Sequence, residues 1–485
     1  MGKHNVLLVV LDSVRAQNTS LHGYHRETTP EIDSFAEEAT KYTQARAPGS
    51  WTLASHSSMF TGLHVDEHLM THNDHAIESG NSVWNRLSKQ GYQTGIFSEN
   101  PFLTRGSTGL DSGFDTVDAT DKKRLPYPGA VDPFDYVHDY DAFAIESIRR
   151  ACPLRSFLNG IVAMYEPDAL DGLGAREAGK TPAQRTIDSF LDWHQSVSSG
   201  PWGACLNVMD AHWPYEPRER IWADRETERL QSELDSDSFW KFEGGQRPWS
   251  DWKAMEDLYD DCIRQADAAI GSLLEELDRR NAITDTIIII TSDHGEAFGE
   301  QSVLRDTRVR EHGNGIIHET VTHVPLVIRW PNSRTSRDVP SPVSLTWLGD
   351  ILDTAAIEDC VEEPLARHQN SVLCSTHGLE ESESKYKSGT EYVNDMRPFA
   401  GQSRAVYENH PAGVRKYVEF RGPKDNRNTA TVHISDDGER TVEAETDDGR
   451  VREIFAGIDD ASVRQSSRAH IDDDLEEQLA DLGYV

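Results

Sequence analysis

Positive charge, cysteine and long apolar runs are all scarce in this sequence, and each scarcity excludes something. Only 48 Lys+Arg stand against 83 Asp+Glu, a formal net charge of −35. A surface this acidic repels nucleic acid and anionic membranes, so neither is expected as a partner. It suits a salt-loaded, halophilic cytoplasm in which ionic strength screens self-repulsion. The 5 cysteines, Cys152, Cys205, Cys262, Cys360 and Cys374, show no C-x-x-C spacing. An odd, scattered set predicts reduced thiols in a cytoplasmic protein. No apolar run approaches the ~18 residues of a membrane span. The apolar stretch at residues 5–11 is too short for a signal peptide and is interrupted by Asp12. A soluble, intracellular chain is expected.

What is present is enough for a large core. The chain has 485 residues, of which 37% are hydrophobic, and its apolar runs recur at intervals. Residues 286–296 read T-I-I-I-I-T-S-D-H-G-E. A short, continuous β-branched run of this kind fits a parallel strand buried on both faces. Similar runs at residues 6–11, 92–98, 202–209 and 324–330 predict further strands. Helical spacing is expected at residues 29–40, 53–62, 82–90, 181–197, 255–280 and 344–354. Together these predict an α/β fold with a largely parallel central sheet flanked by helices. Residues 406–451 alternate in short runs between D-D-G turns, which predicts a small antiparallel sheet. Residues 380–397 read as a polar surface loop and residues 475–482 as a closing helix. A catalytic domain over 1–335, with an insertion at about 105–180 walling the site, and a carboxy-terminal subdomain over 336–485 are expected.

Several predicted strands end in a polar group: Asp12, Asn100, Asp210 with His212, and Asp293 with His294. In open α/β sheets the carboxyl ends of the strands form the ligand-binding edge. Thr52 joins them from the start of a helix, where backbone N–H groups favour anions. A hard carboxylate beside an imidazole suits a divalent cation. Asp12, Asp293, His294 and the Thr52 hydroxyl are therefore candidate ligands, and Thr52 is also the candidate nucleophile. Without the metal, the two aspartates would face each other as like charges and one would have to protonate. His212 and His312 are candidates to contact substrate or protonate the leaving group.

The chain resembles the sulfatase family of the alkaline phosphatase superfamily. The resemblance runs from about residue 5 to 331 through N-V-L-L-V-V-L-D, T-L-A-S-H-S-S-M-F-T-G, L-S-K-Q-G-Y-Q-T-G, M-D-A-H-W-P-Y, S-D-H-G-E-A-F-G-E and H-V-P-L-V-I-R-W-P, in order. It implies an α/β sandwich and a metal-dependent ester hydrolase site. Asp12, Asp293 and His294 match metal-ligand positions, Thr52 the nucleophile and His212 a substrate-contacting histidine. Sulfatases place Cys or Ser at the nucleophile in C/S-x-P/A-x-R and convert it to formylglycine; here the segment is T-L-A-S-H. Threonine cannot become that aldehyde, so no formylglycine is expected. His56 replaces the arginine and, with Asn100, is assigned to substrate binding. Ser13 replaces a usual second aspartate, which favours Mn²⁺, Mg²⁺ or Zn²⁺, with Ca²⁺ a further candidate. The expected substrate is a sulfate or phosphate ester of a small molecule, glycan or lipid. The alternatives are a phosphodiesterase or phosphotransferase, a phosphomutase-like enzyme, or a catalytically silent anion- or glycan-binding member.

Overall fold

Short runs dominated by apolar and β-branched residues, too short for helices, form the central strands. The computed structural model describes residues 3–105, 108–120, 180–197, 200–234, 237–305, 307–313, 315, 317–357, 371–423, 426–435, 440–444 and 449–466, with isolated positions within 147–156 and 475–482. The amino-terminal strands are β1 (Asn5–Leu11), β2 (Thr40–Tyr42), β3 (Ala45–Arg46), β4 (Gln93–Ser98), β5 (Thr116–Ala119) and β6 (Trp202–Val208). They are followed by β7 (Thr286–Thr291), β8 (Ala297–Gln301), β9 (Arg308–Glu311), β10 (Leu326–Arg329), β11 (Arg337–Val339) and β12 (Val343–Ser344).

Eight of them build one sheet in the order β11-β2-β10-β7-β1-β6-β4-β5. The run β7-β1-β6-β4-β5 is parallel throughout, and β10 alone lies antiparallel to its two neighbours, β7 and β2. The predicted α/β architecture is thus the observed one. Register sets the working edge: Val10 pairs with Thr291, Leu11 with Val208, and Ser98 with Asn207. The residues that follow these strands therefore emerge side by side.

Alternation along the strands feeds two cores. Val6, Leu8, Val10, Ile287 and Ile289 face the helices Thr52–Thr61, Val83–Lys89 and Leu348–Ile357. Leu7, Val9, Leu11, Ile288 and Ile290 face Pro182–Ser196 and the long helix Trp249–Arg279. Helix Thr52–Thr61 stops where the sequence predicts, at Gly62, whose φ of 79° is costly for any residue with a Cβ.

The later strands, β13 (Ser371–His377), β14 (Gln402–His410), β15 (Gly413–Arg421), β16 (Arg427–Ile434) and β17 (Arg440–Ala444), form an antiparallel sheet in sequence order. Its first strand lies upstream of the stretch where the alternation was legible. A buried charge cluster joins this sheet to the body: Lys416 Nζ and the Tyr407 hydroxyl both donate to Glu319 Oε1 at 3.0 Å, and Arg46 Nη2 lies 3.1 Å from Glu319 Oε2. β11, β12 and helix Leu348–Ile357 pair or pack with the large sheet and its helices.

Residues 108–120, expected to open an insertion, end in β5 at the edge of the large sheet. The rest of that stretch lies outside the described residues apart from isolated positions, as does most of the expected closing helix at 475–482. Residues 380–397 are more than a surface loop. They include helix Ser384–Gly389, and Tyr386, Tyr392, Val393 and Met396 pack with Phe239, Trp240 and Phe399. Among the described residues no helix is long and apolar enough to cross a membrane.

Candidate active site

Asp12, Thr52, Asp293 and His294 converge at the carboxyl edge of the sheet, and all four are buried. Asp12 leaves β1 with its backbone N–H donating to the Val208 carbonyl at 2.9 Å, which fixes it beside the end of β6. Ser13 then turns the chain in the left-handed region, φ 65°, and its hydroxyl donates to Asp12 Oδ1 at 3.1 Å. The amides of Asn100 and Asn207 donate to Asp12 Oδ2 at 3.2 and 3.0 Å.

Asp293 and His294 leave β7. Asp293 Oδ1 accepts from the backbone N–H groups of Ser13, at 3.3 Å, and His294, at 3.0 Å. His294 Nδ1 donates to the Gly295 carbonyl at 3.0 Å, so Nε2 carries the lone pair of the neutral ring. That nitrogen lies 3.3 Å from Thr52 Oγ1, 3.4 Å from Asp293 Oδ2 and 3.8 Å from Asp12 Oδ1. Glycine must follow His294: a Cβ at position 295 would stand 2.1 Å from the Thr320 carbonyl oxygen.

Ligand atoms of Asp12, Asp293 and His294 all lie within 4.8 Å of one another. Their electrostatics favour a cation. Burial raises the pKa of Asp12, but His212, His294 and the Asn207 amide outweigh it and hold the carboxyl at about 2. Asp293 is driven well above the usual carboxylate range, first by burial and then by the charge on Asp12. Without a cation the second carboxylate therefore takes up a proton, as the pairing of like charges requires. Asp293 Oδ2 is buried with no hydrogen-bond partner. An orphaned carboxylate oxygen beside a second carboxylate and an imidazole lone pair fits a divalent ion.

His56, one turn after Thr52, reaches the same cluster. Its Nδ1 lies 3.1 Å from the Thr52 carbonyl and 3.5 Å from Asp293 Oδ2. Burial lowers its pKa to about 4, which keeps the ring neutral. Both ends of the Asn100 amide are engaged within the chain: Nδ2 holds Asp12, and Oδ1 accepts from the Phe102 N–H at 3.1 Å, capping a short helix. His212 and His312 complete the group. The His312 ring lies 4.3 Å from that of His294 and 5.2 Å from that of His212, centroid to centroid. His212 Nδ1 donates to the Trp213 carbonyl at 2.7 Å.

Asp210 does not join the cluster. Its carboxylate accepts from the Ala183 N–H at 2.6 Å and the Gln265 amide at 2.7 Å, holding helices Pro182–Ser196 and Trp249–Arg279 together. Three neighbours were missed in the sequence: Asn207, the Ser13 hydroxyl and Glu296. Glu296 is buried, with Oε2 3.2 Å from His312 Nδ1. A polar residue inside the apolar strand W-G-A-C-L-N-V was the available signal for Asn207.

Buried groups elsewhere predict how stability follows pH. Burial lowers His22 and His68 to about 3 and His75 to about 4, below the ~6.5 of an unfolded histidine. The unfolded chain thus binds protons more readily there, and stability falls as pH drops below ~6.5. In the other direction, burial raises Glu243 and Asp267 to about 7 and Glu296 to about 8. The folded chain keeps those protons longer than the unfolded one, so stability falls as pH rises through those values. The lowered histidines, with His56, His312 and His323 among them, outnumber the strongly raised acids on the acid side. Metal-free protein is expected to melt highest near pH ~6.5 and lower on both sides, as thermal unfolding across that range will record.

Comparisons with known proteins identify the family and the fold. The sequence profile of the family described as Sulfatase matches residues 4–356. The chain therefore belongs to the sulfatase family and is a hydrolase of sulfuric or phosphoric esters. The N-acetylgalactosamine-6-O-sulfatase of Bacteroides thetaiotaomicron is 22% identical over 367 residues, 68% of each protein. The phosphonate monoester hydrolase of Agrobacterium radiobacter superposes with a TM-score of 0.59 at 17% identity, covering 94% of both chains. A 2-O GAG sulfatase does so with a TM-score of 0.56 at 14% identity, covering 94% of this chain and 90% of the other. These two likenesses extend the shared fold well past residue 356.

Proposed function

We propose that the chain is a metal-dependent hydrolase in which the Thr52 hydroxyl attacks the phosphorus or sulfur of an ester. The observation that carries this reading is the Thr52 hydroxyl at a helix start, 3.3 Å from the Nε2 of His294, which clusters with Asp12 and Asp293. Asp12, Asp293, His294 and Thr52 would hold the ion. When bound, it supplies positive charge that lowers the hydroxyl pKa and offsets charge developing on the transferred group.

The rest falls to the chain. The Thr52 hydroxyl gives its proton to solvent as it attacks, forming a Thr52 O–P or O–S bond and breaking the bond to the alcohol, which leaves with a proton; water then cleaves the Thr52 ester, releasing the acid and restoring the hydroxyl. His212 and His312, whose rings lie close to each other and, for His312, to His294, would contact the transferred oxygens or return a proton to the departing alcohol. Asn100 and Asn207 position Asp12, and neutral His56 buttresses Asp293 without adding charge. Threonine cannot be oxidised to the formylglycine aldehyde, which favours phosphate esters over sulfate esters and leaves phosphodiesterase or transferase chemistry as the second reading. Glycan-directed names among the sulfatase relatives support a sugar-linked substrate.

The experiment is turnover of matched 4-nitrophenyl sulfate, phosphate and methyl-phosphate diester by purified protein, with Mn²⁺, Mg²⁺ or Zn²⁺ supplied in turn. Phosphate turnover dependent on a divalent ion is expected. Metal-independent turnover, or none of the three esters cleaved, sinks the reading.

A further inference from the structure

We propose that Trp51 is the platform on which the alcohol part of the substrate rests, and that this alcohol carries a ring with an apolar face, as a pyranose or an aryl group does. The inference deepens the ester-hydrolase reading and rests on it. Trp51 immediately precedes Thr52, and its carbonyl accepts the Ser55 N–H at 3.1 Å, so its backbone is fixed by the helix that bears the nucleophile. On the other side, the Gly313 N–H, next after His312, donates to the Ser50 carbonyl at 2.7 Å. The turn before Thr52 and the loop after His312 are thereby tied edge to edge, with Trp51 at the seam.

The indole packs against one of the two apolar cores but is not enclosed by it. Trp84, Trp240 and Trp252 are fully buried, whereas Trp51 is only partly buried. It rests edge-on against the buried ring of Phe102, centroids 5.7 Å apart and planes at 83°, which fixes its orientation. Among the described residues its Nε1–H makes no hydrogen bond, although a buried indole usually finds one. Gly313 leaves room beside it: a Cβ there would have the Trp51 Cβ at 4.0 Å as its sole close neighbour.

A rigid aromatic surface with an unused donor, one residue from the nucleophile, is chemistry suited to a ring bearing hydroxyls. The ring face stacks on the indole, and a hydroxyl accepts from Nε1. Phe102 is the floor that keeps the platform from collapsing into the core.

The test compares wild type, Trp51→Ala and Trp51→Leu on three esters of the acid the wild type cleaves: a methyl glucopyranoside 6-ester, a 4-nitrophenyl ester and an ethyl ester. Trp51→Leu keeps apolar packing on Phe102 but has no aromatic face, so it serves if the alanine variant fails to fold. We expect kcat/KM on a ring-bearing ester to fall about tenfold or more, chiefly through KM, with the ethyl ester within about twofold of wild type. Loss confined to the glucopyranoside identifies a sugar, and loss confined to the nitrophenyl ester identifies an aryl alcohol. Equal losses on all three esters, or none on any, overturn the proposal. Failure of the hydrolase reading is separable: if wild type cleaves nothing, calorimetric binding of methyl glucopyranoside and of 4-nitrophenol is compared in the same variants. Binding of either that Trp51→Ala and Trp51→Leu lose supports the platform, and absence of both from wild type removes it.

Discussion

Thr52→Ala is expected to lower kcat on the best ester substrate by at least about 10³-fold, because the variant has no oxygen with which to attack. Helix Thr52–Thr61 should survive the change, since alanine is a better helix former and the helix's own cap is the Trp51 backbone. Thr52→Ser keeps the hydroxyl and should retain most of the activity. Together these two variants separate a nucleophile from a packing residue. Unaltered melting of Thr52→Ala alongside undiminished turnover would end the assignment of Thr52. Trapping a phosphorylated or sulfated Thr52 by acid quench and mass spectrometry would support it directly.

Removing the metal is the second large effect. Chelation should abolish turnover, and adding the ion back should restore it. A ligand that binds only the folded state at a hundredfold over its Kd stabilises by about 2.7 kcal/mol, so the ion should also raise the melting temperature. Asp293→Asn gives a sharper signature. Asparagine resembles the protonated carboxyl that the metal-free site adopts, so metal-free Asp293→Asn should melt no lower than metal-free wild type. It should also fail to gain from the ion. A variant as metal-responsive as wild type would show that Asp293 is not a ligand.

The sheet was readable in advance because a strand buried on both faces is built mostly of apolar and β-branched residues, as T-I-I-I-I-T is. The same holds for β1 and β6, so the strand exits, and with them Asp12 and the Asp293–His294 pair, could be named from local pattern. Gly62 was legible as a helix stop, because its left-handed backbone, φ 79°, is costly for any residue with a Cβ. β5 and β13 were harder. β5 is a partly exposed edge strand and β13 has a mixed burial pattern, so neither carries a continuous run.

The sequence by itself determined which residue types stand at the ends of buried strands, because burial leaves each strand little choice of composition. It also determined that Thr52 begins a helix. Only the tertiary structure decided which way each polar side chain turns. Asp12 and Asp210 both leave central strands, yet one faces His294 while the other turns back to join two helices. Asn100, read as a substrate contact, spends its amide on Asp12 and its oxygen on a cap. Those outcomes depend on register between strands more than a hundred residues apart in the chain. Pairing Val10 with Thr291 and Leu11 with Val208 brings two carboxylates and an imidazole together, and no local pattern of residues encodes that pairing.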